Sequence, residues 1–353
     1  MSRPYQIHVL YEYGPDFRPH GSAYLRLLRP LSHPMLRGMV SVTFGLDYLN
    51  VPVDAVIVDR LWRPDISLDL ARELLVTVRR NGAKLIYALD DDFLTLDTHR
   101  ASWFTVDHRE VAWFLLHEAD LIIVTTAELA KRFVNYNAHI RIIPNFLDER
   151  LLGSGRLATP FMERRITIGY MGTLTHDDDF LLMLPALRKV VQKYSDRVRV
   201  QLIGAIAHAN TWPLLSDLPL YVLPLSPIEA EYPLFVPWFT SRVQWDIAIS
   251  PLCDDDFNRC KSDIKFLDYS AIGAAGIYSR VPAYMGSVVH GETGWLAENT
   301  TEAWVEALET LILDASLRRR IASNARQYLY SERIVARAVQ YWVDAFESLS
   351  AQR

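Results

Sequence analysis

This 353-residue sequence predicts an α/β fold built as two successive domains. Three observations carry that reading. Short β-branched or aromatic runs alternate with longer helical patterns, as in repeated βα units around a parallel sheet. The alternation runs twice, with a break near 150–164 where Gly153-Ser154-Gly155 and Pro160 interrupt the pattern. The length also exceeds one core, at roughly 100–200 residues per domain.

The first series reads as strands at 7–13, 55–60, 84–90, 121–126 and 140–145, with helices over 68–78 and 106–118. After the first strand, Gly14-Pro15 and Pro19-His20-Gly21-Ser22 form a turn-rich loop, and a short helix over 23–29 follows, which Pro30 is expected to end. The second series places strands at 166–172, 198–204, 220–225, 246–252 and 276–280. Asn299, with Glu302 three residues on, predicts the cap of a helix carrying Trp304, Leu308, Leu311 and Ile312. A last helix over 332–350 sets Val335, Val339, Trp342, Phe346 and Leu349 on one side.

Composition narrows the function classes. Half the residues are hydrophobic and 22% are charged, an ordinary globular balance. A net charge of −5 offers no basic arm, which argues against nucleic acid as a partner. Cys253 and Cys260, the only cysteines, imply neither a disulfide framework nor a zinc site. The start turns directly into a strand without the apolar core of a signal peptide, and no run approaches the roughly 18 apolar residues of a spanning helix. The expectation is a cytoplasmic protein that can still touch a membrane surface. Arg26, Arg29 and Arg37, with Leu25, Leu28, Met35 and Met39, form the candidate patch; the alternative is a helix packed on its own sheet with solvated arginines.

Ligands of open α/β sheets gather at the carboxyl ends of the strands. Asp-Asp-Asp-Phe follows a predicted strand three times, at 90–93, 177–180 and 254–257. Acidic residues there either cap the next helix or chelate Mg²⁺ or Mn²⁺, and no complete ligand set is evident. In the stretch 261–269, Lys261, Lys265 and Asp268 share one face if the whole segment is helical. Two lysines at i, i+4 repel one another, a penalty of tenths of a kcal/mol that a docked phosphate removes. Asp268 can accept hydrogen bonds from a ribose diol. The alternative is a solvated face on which Lys265 pairs with Asp268. Gly21 at the first helix entry lets the backbone approach a ligand, although helix capping uses the same residue types.

These segments resemble the retaining GT-B glycosyltransferases of the large family that contains many bacterial polysaccharide and lipid-linked sugar transferases. The resemblance rests on 119–133 followed by IPNFLD (143–148), on YMGTLTHDDDF (170–180), on KSDIKFLDYSAIGAAGIYS (261–279) and on GETGWL (291–296). It implies two Rossmann-like α/β/α domains facing across a cleft: an acceptor domain over 1–155, a nucleotide-sugar donor domain over 156–335, and a C-terminal helix, 336–353, packing back towards the first domain.

The resemblance also implies the site. Gly21, Ser22, Gly172, Thr173, Lys261, Asp263, Lys265 and Asp268 would bind the donor. Asp91, Asp92, Lys265 and His176 would be catalytic, and no metal or cofactor would be needed beyond the nucleotide sugar itself. Asp268 stands where the family uses a ribose-binding glutamate, and Cys260 where it uses a glutamate against the transferred sugar. Lys261 and Lys265 take the place of the family's arginine and lysine at the diphosphate, and Lys265 is expected to face the cleft rather than the core. The implied reaction is transfer to an acceptor hydroxyl, on a carbohydrate, a lipid-linked or another molecule, with the departing diphosphate taking the proton. Rival readings are a metal-dependent transferase chelating through Asp90–Asp92, a nucleotide-sugar epimerase or phosphorylase, and a non-catalytic sugar-binding or partner subunit.

Overall fold

The computed structural model describes residues 3–96, 101, 103–153, 165–172, 177–204 and 211–350. Two compact units emerge. One comprises Met1–Glu149, Cys260–Ser262 and Arg333–Arg353; the other comprises Arg150–Arg259 and Asp263–Glu332. The break expected at 155/156 falls outside the described residues.

The first unit holds six parallel strands: β1 (Tyr5–Leu10), β2 (Val40–Gly45), β3 (Ala55–Asp59), β4 (Lys84–Leu89), β5 (Leu121–Val124) and β6 (Ile140–Ile142). Their order is β2-β1-β3-β4-β5-β6, so the chain reverses its direction of travel across the sheet between β1 and β3. Strand β3 is buried along its whole length, as its unbroken apolar run requires. Strand β2 has no counterpart in the sequence reading. It is an edge strand of half-buried and exposed residues paired only to β1, too polar to announce itself by an apolar run.

Helical segments Gly21–Ala23, Tyr24–Leu28 and Arg29–Leu31 follow one another without a break and together form α1. Pro30 therefore does not end this helix. Its middle segment is a π turn, in which Arg29 N–H bonds to Tyr24 C=O. The wider turn shifts the carbonyls that a proline ring would otherwise strike. Helices α2 (Leu68–Arg80), α3 (Val106–Glu118) and α4 (Ala127–Phe133) are capped by Ser67, Thr105 and Thr126, whose hydroxyls accept from backbone N–H groups three residues on.

In the second unit, β7 (Ile166–Gly172), β8 (Val198–Gly204), β9 (Leu220–Val222), β10 (Ile247–Ser250), β11 (Ala275–Ser279) and β12 (Trp295–Ala297) form another all-parallel sheet. The order β12-β11-β10-β7-β8-β9 is the doubly wound dinucleotide-binding order, reversing between β7 and β10. Around it run α5 (Asp177–Lys193), α6 (Tyr232–Arg242), α7 (Asp256–Arg259), α8 (Ile264–Ala271), α9 (Pro282–Met285), α10 (Thr301–Leu313) and α11 (Ala315–Glu332). The cap of α10 is Thr300, not Asn299. Asn299 is used elsewhere: its amide donates to Leu252 C=O and its oxygen accepts from Ser279 Oγ.

The last helix, α12 (Val335–Ser350), belongs to the first unit. Its apolar stripe, centred on fully buried Trp342 and Phe346, joins the core beneath β1, where Phe346 stacks on Tyr5 at 5.3 Å.

Gly169 in β7 lies under the indole of Trp245, so a Cβ there would fall 1.8 Å from the ring. Gly169→Ala is expected to lower stability by about 3 kcal/mol through overpacking, read as a lower urea midpoint. An unchanged midpoint would contradict this packing.

Candidate functional site

Each unit concentrates polar chemistry at the carboxyl ends of its strands, at the point where the strand order reverses. In the second unit, β7 and β10 pair only at Ile168–Ile247 and Gly169–Ala248 and then part. Tyr269, fully buried on α8, fills the opening. Its hydroxyl accepts from Met171 N–H at 3.3 Å and donates to Ile249 C=O at 3.1 Å, satisfying backbone groups that the separated strands leave unpaired. At the neighbouring strand end, Gly204 has φ +60 and packs so closely that a Cβ would sit 2.4 Å from the carbonyl oxygen of Gly172.

Helix α8 puts Lys265 and Asp268 one turn apart beside this opening. Lys265 is only 8% exposed, with Nζ 5.0 Å from the centre of the Tyr170 ring. The alternative of a solvated face for Lys265 is therefore not what the structure has: its ammonium is packed on an aromatic face. Asp268 is half-buried. Burial pushes its carboxyl up to about 7, against the pull of Lys265. Asp263 is buried and precedes α8, without capping it through its side chain. Gly172 ends β7. Thr173 and His176 lie outside the described residues.

Lys261 does not share a helical face with Lys265. The helix begins at Ile264, and Cys260–Ser262 form part of the first unit. There Thr126 Oγ1 donates to Cys260 C=O at 3.0 Å, Asn145 Nδ2 donates to Ser262 Oγ at 2.7 Å, and Lys261 Nζ meets Asp91 Oδ1 at 2.9 Å. Burial pushes the Cys260 thiol up to about 11, helped by Asp92, so this position carries no charge at neutral pH.

The first unit's cluster was largely missed from sequence. Arg26, read from sequence either as part of a candidate membrane-facing patch or as a solvated arginine, is buried; its Nη1 lies 3.1 Å from Asp59 and 3.5 Å from Asp90. Arg29 pairs with Asp148 at 2.5 Å and Leu25 is buried, so Arg26 and Leu25 take no part in the candidate patch, whereas Met35, Arg37 and Met39 are exposed. Arg60, in left-handed backbone with φ +50 just after β3, brings Nε 3.0 Å from Glu12, Nη1 3.5 Å from Asp90 and Nη2 3.9 Å from Asp91. Its Nε–H is not aimed at an acceptor, so these contacts are chiefly electrostatic. Nη1 also donates to Ser22 Oγ at 3.4 Å, beside Gly21 at the start of α1.

Burial and the surrounding charges set the ionisation of this cluster. Burial raises Asp59 to about 6, with Glu12 and Asp90 adding to the rise and Arg26 opposing it. Asp91 feels the same penalty, but Lys261 and Arg60 outweigh it and hold its carboxyl below the usual range. Asp90 faces Arg26 and Arg60, Asp91 faces Lys261 and, at longer range, Arg60, and Asp92 faces Arg132 at 3.2 Å. Asp92 is fully buried and accepts Leu94 N–H through Oδ1, whereas Asp91 keeps some exposure. The other two Asp-Asp-Asp-Phe runs are structural. Residues 177–179 open α5, and Asp255 caps the turn at Phe257 and Asn258. Among the described residues, no group of three or more His, Cys, Asp or Glu side chains is arranged to hold a metal ion.

The raised Asp268 carboxyl links stability to pH. Its folded value, about 7, lies above the ordinary 3.8, so the folded state holds the proton longer than the unfolded chain does. Its contribution to stability is full below about pH 4 and is lost as pH rises through about 7. Relative to Asp268→Asn, the wild type should therefore lose melting temperature between about pH 4.5 and about pH 7.5. Parallel profiles for the two proteins would refute the assignment.

No family model and no curated protein matches the sequence. Solved structures do match the fold. Anabaena HepE in complex with UDP and glucose superposes with a TM-score of 0.68 at 14% identity, over 98% of this chain and 100% of that one. A glycosyltransferase from Rickettsia africae gives 0.64 at 12% identity, over 98% of both chains. Sucrose-phosphate synthase from Thermosynechococcus elongatus gives 0.61 at 12% identity, over 85% of this chain and 75% of that one. Two units of parallel-sheet α/β structure, matched along nearly the whole chain, identify the GT-B fold.

Proposed function

We propose that this chain is a glycosyltransferase that moves a sugar from a nucleoside diphosphate sugar to an acceptor hydroxyl, with retention and without a divalent metal. The observation that carries the reading is the pairing of Lys265 and Asp268 on α8 beside the β7–β10 opening, where doubly wound sheets receive nucleotides. The presence of UDP and glucose in the matching Anabaena HepE structure supports the same ligand class.

In this reading Asp268 accepts the ribose hydroxyls, and a ligand that donates to it favours the carboxylate. Lys265 and the first N–H groups of α8 face the diphosphate, whose charge grows as the glycosidic bond breaks; stabilising that charge is the main catalytic contribution. Gly172, Thr173, Asp263 and His176 complete the donor side. Lys261 acts on Asp91 instead of on phosphate. Of the two carboxylates considered, Asp91 is assigned to the substrate, because Asp92 has no exposed surface. The pairing of Asp90, Asp91 and Asp92 with the chain's own cations Arg26, Arg60, Lys261 and Arg132 supports metal-independent chemistry over chelation. Gly21 and Ser22 are likewise assigned to the donor, and the acceptor is a carbohydrate, lipid-linked or other hydroxyl, in polysaccharide or glycoconjugate synthesis in the cytoplasm.

Lys265→Met keeps the apolar stem against Tyr170 and removes the charge. It should weaken UDP binding about ten- to a hundredfold, as expected for one charge-assisted hydrogen bond, and lower turnover further than it lowers binding. Asp268→Asn should weaken uridine and UDP alike. Calorimetric titration of both ligands decides the matter, and wild-type affinity of Lys265→Met for UDP would remove the phosphate role. Turnover should also persist in excess EDTA; loss restored by Mn²⁺ would favour the metal-dependent rival.

A further inference from the structure

At the other strand-order reversal, between β1 and β3, the chain builds a histidine–carboxylate pair. Beyond β1 it turns back on itself through a short loop. Tyr13 and Pro19 form an antiparallel bridge, Phe17 N–H bonds to Gly14 C=O at 2.9 Å with Phe17 at φ +60, and His20 N–H bonds to Glu12 C=O at 2.9 Å. This register returns the His20 ring to the Glu12 side chain, with Nδ1 3.1 Å from Oε2.

The two partners are unequal. Glu12 is 5% exposed, whereas the His20 side chain is 49% exposed. Burial works to raise the Glu12 carboxyl, but Arg60 and His20 prevail and hold it below the usual range. An ionised carboxylate only accepts, so Nδ1 carries the hydrogen of the neutral ring and Nε2 presents a lone pair. Gly14 leaves room for that lone pair: a Cβ there would stand 3.2 Å from Nε2. Gly14 is not among the glycines with positive φ, so its backbone does not require glycine. The charged groups around the ring are Glu12, Arg60 and Asp91 behind Glu12, and Asp16 beside Gly14.

We propose that His20, oriented by Glu12, accepts a hydrogen bond at Nε2 from a carbohydrate hydroxyl, either on the acceptor or on the sugar being transferred. Glu12 is a positioning residue that acts through the ring. The inference rests on the glycosyl-transfer reading and adds a recognition element at the first sheet.

The test uses the full chain with whichever of UDP-, GDP- and ADP-glucose binds most tightly, together with its free nucleoside diphosphate. Binding is measured by calorimetry, and release of the diphosphate is followed with water and methyl glucoside as acceptors. His20→Ala and Gly14→Ala should leave nucleoside diphosphate affinity unchanged. If the hydroxyl belongs to the transferred sugar, affinity for the nucleotide sugar should fall about two- to tenfold, the range for one neutral hydrogen bond. If it belongs to the acceptor, that affinity should hold while diphosphate release slows. His20→Gln, whose amide oxygen still accepts, should recover part of the loss. Glu12→Gln should lower the same readout as His20→Ala by a smaller factor, with nucleoside diphosphate affinity unchanged. Wild-type behaviour of His20→Ala in both binding and release overturns the proposal, as does a bound nucleotide sugar that the wild type never turns over. Failure of the wild type to bind any of the three nucleotide sugars instead overturns the glycosyl-transfer reading, and the proposal falls with it.

Discussion

Four carboxylates, Glu12, Asp59, Asp90 and Asp91, converge at the carboxyl ends of β1, β3 and β4, and their burial depends on Arg26, Arg60 and Lys261. Charges removed from water must be paired, and removing one partner from such a group typically costs about 3–5 kcal/mol. The need for cations here explains local features that are otherwise odd. Arg26 leaves the solvated face of α1 for the interior. Arg60 adopts left-handed backbone, which carries its guanidinium over Phe93 at 4.9 Å and among three carboxylates. Lys261 and its neighbours join the first unit although the residues on either side belong to the second.

The second unit answers a different constraint. Where β7 and β10 part, backbone groups would be left unpaired, and the Tyr269 hydroxyl takes one from each strand. That residue fastens α8 to the sheet. Lys265 and Asp268, on the same helix, are thereby held at a fixed height beside the opening. Their burial sets their electrostatics: the lysine charge rests on an aromatic ring, and the aspartate holds its proton to about pH 7. Rigid support of this kind is what a binding constellation requires.

Much of the fold was legible in the sequence. Strands β3, β4 and β5 are almost unbroken apolar runs because both faces of a parallel sheet are covered, β8 alternates buried with half-buried residues, and helix α2 carries a clear period. The acidic run after β4, the glycine ending β7 and the segment holding Lys265 and Asp268 were all visible as residues at strand ends. What escaped were features set by context: the polar edge strand β2, the π turn that lets Pro30 continue α1, and the one-residue displacement of the α10 cap from Asn299 to Thr300.

The sequence by itself determined that two parallel-sheet α/β units follow one another and which strand ends carry acidic and basic groups, because these depend on local periodicity. Only the tertiary structure decided who pairs with whom. It set Lys261 against Asp91 instead of beside Lys265, buried Arg26, and brought His20 to Glu12 through a loop whose register no periodicity records. Ion pairing and burial are properties of residues far apart in the chain, and their energies depend on the local dielectric and on neighbouring charge. Neither can be read from spacing alone.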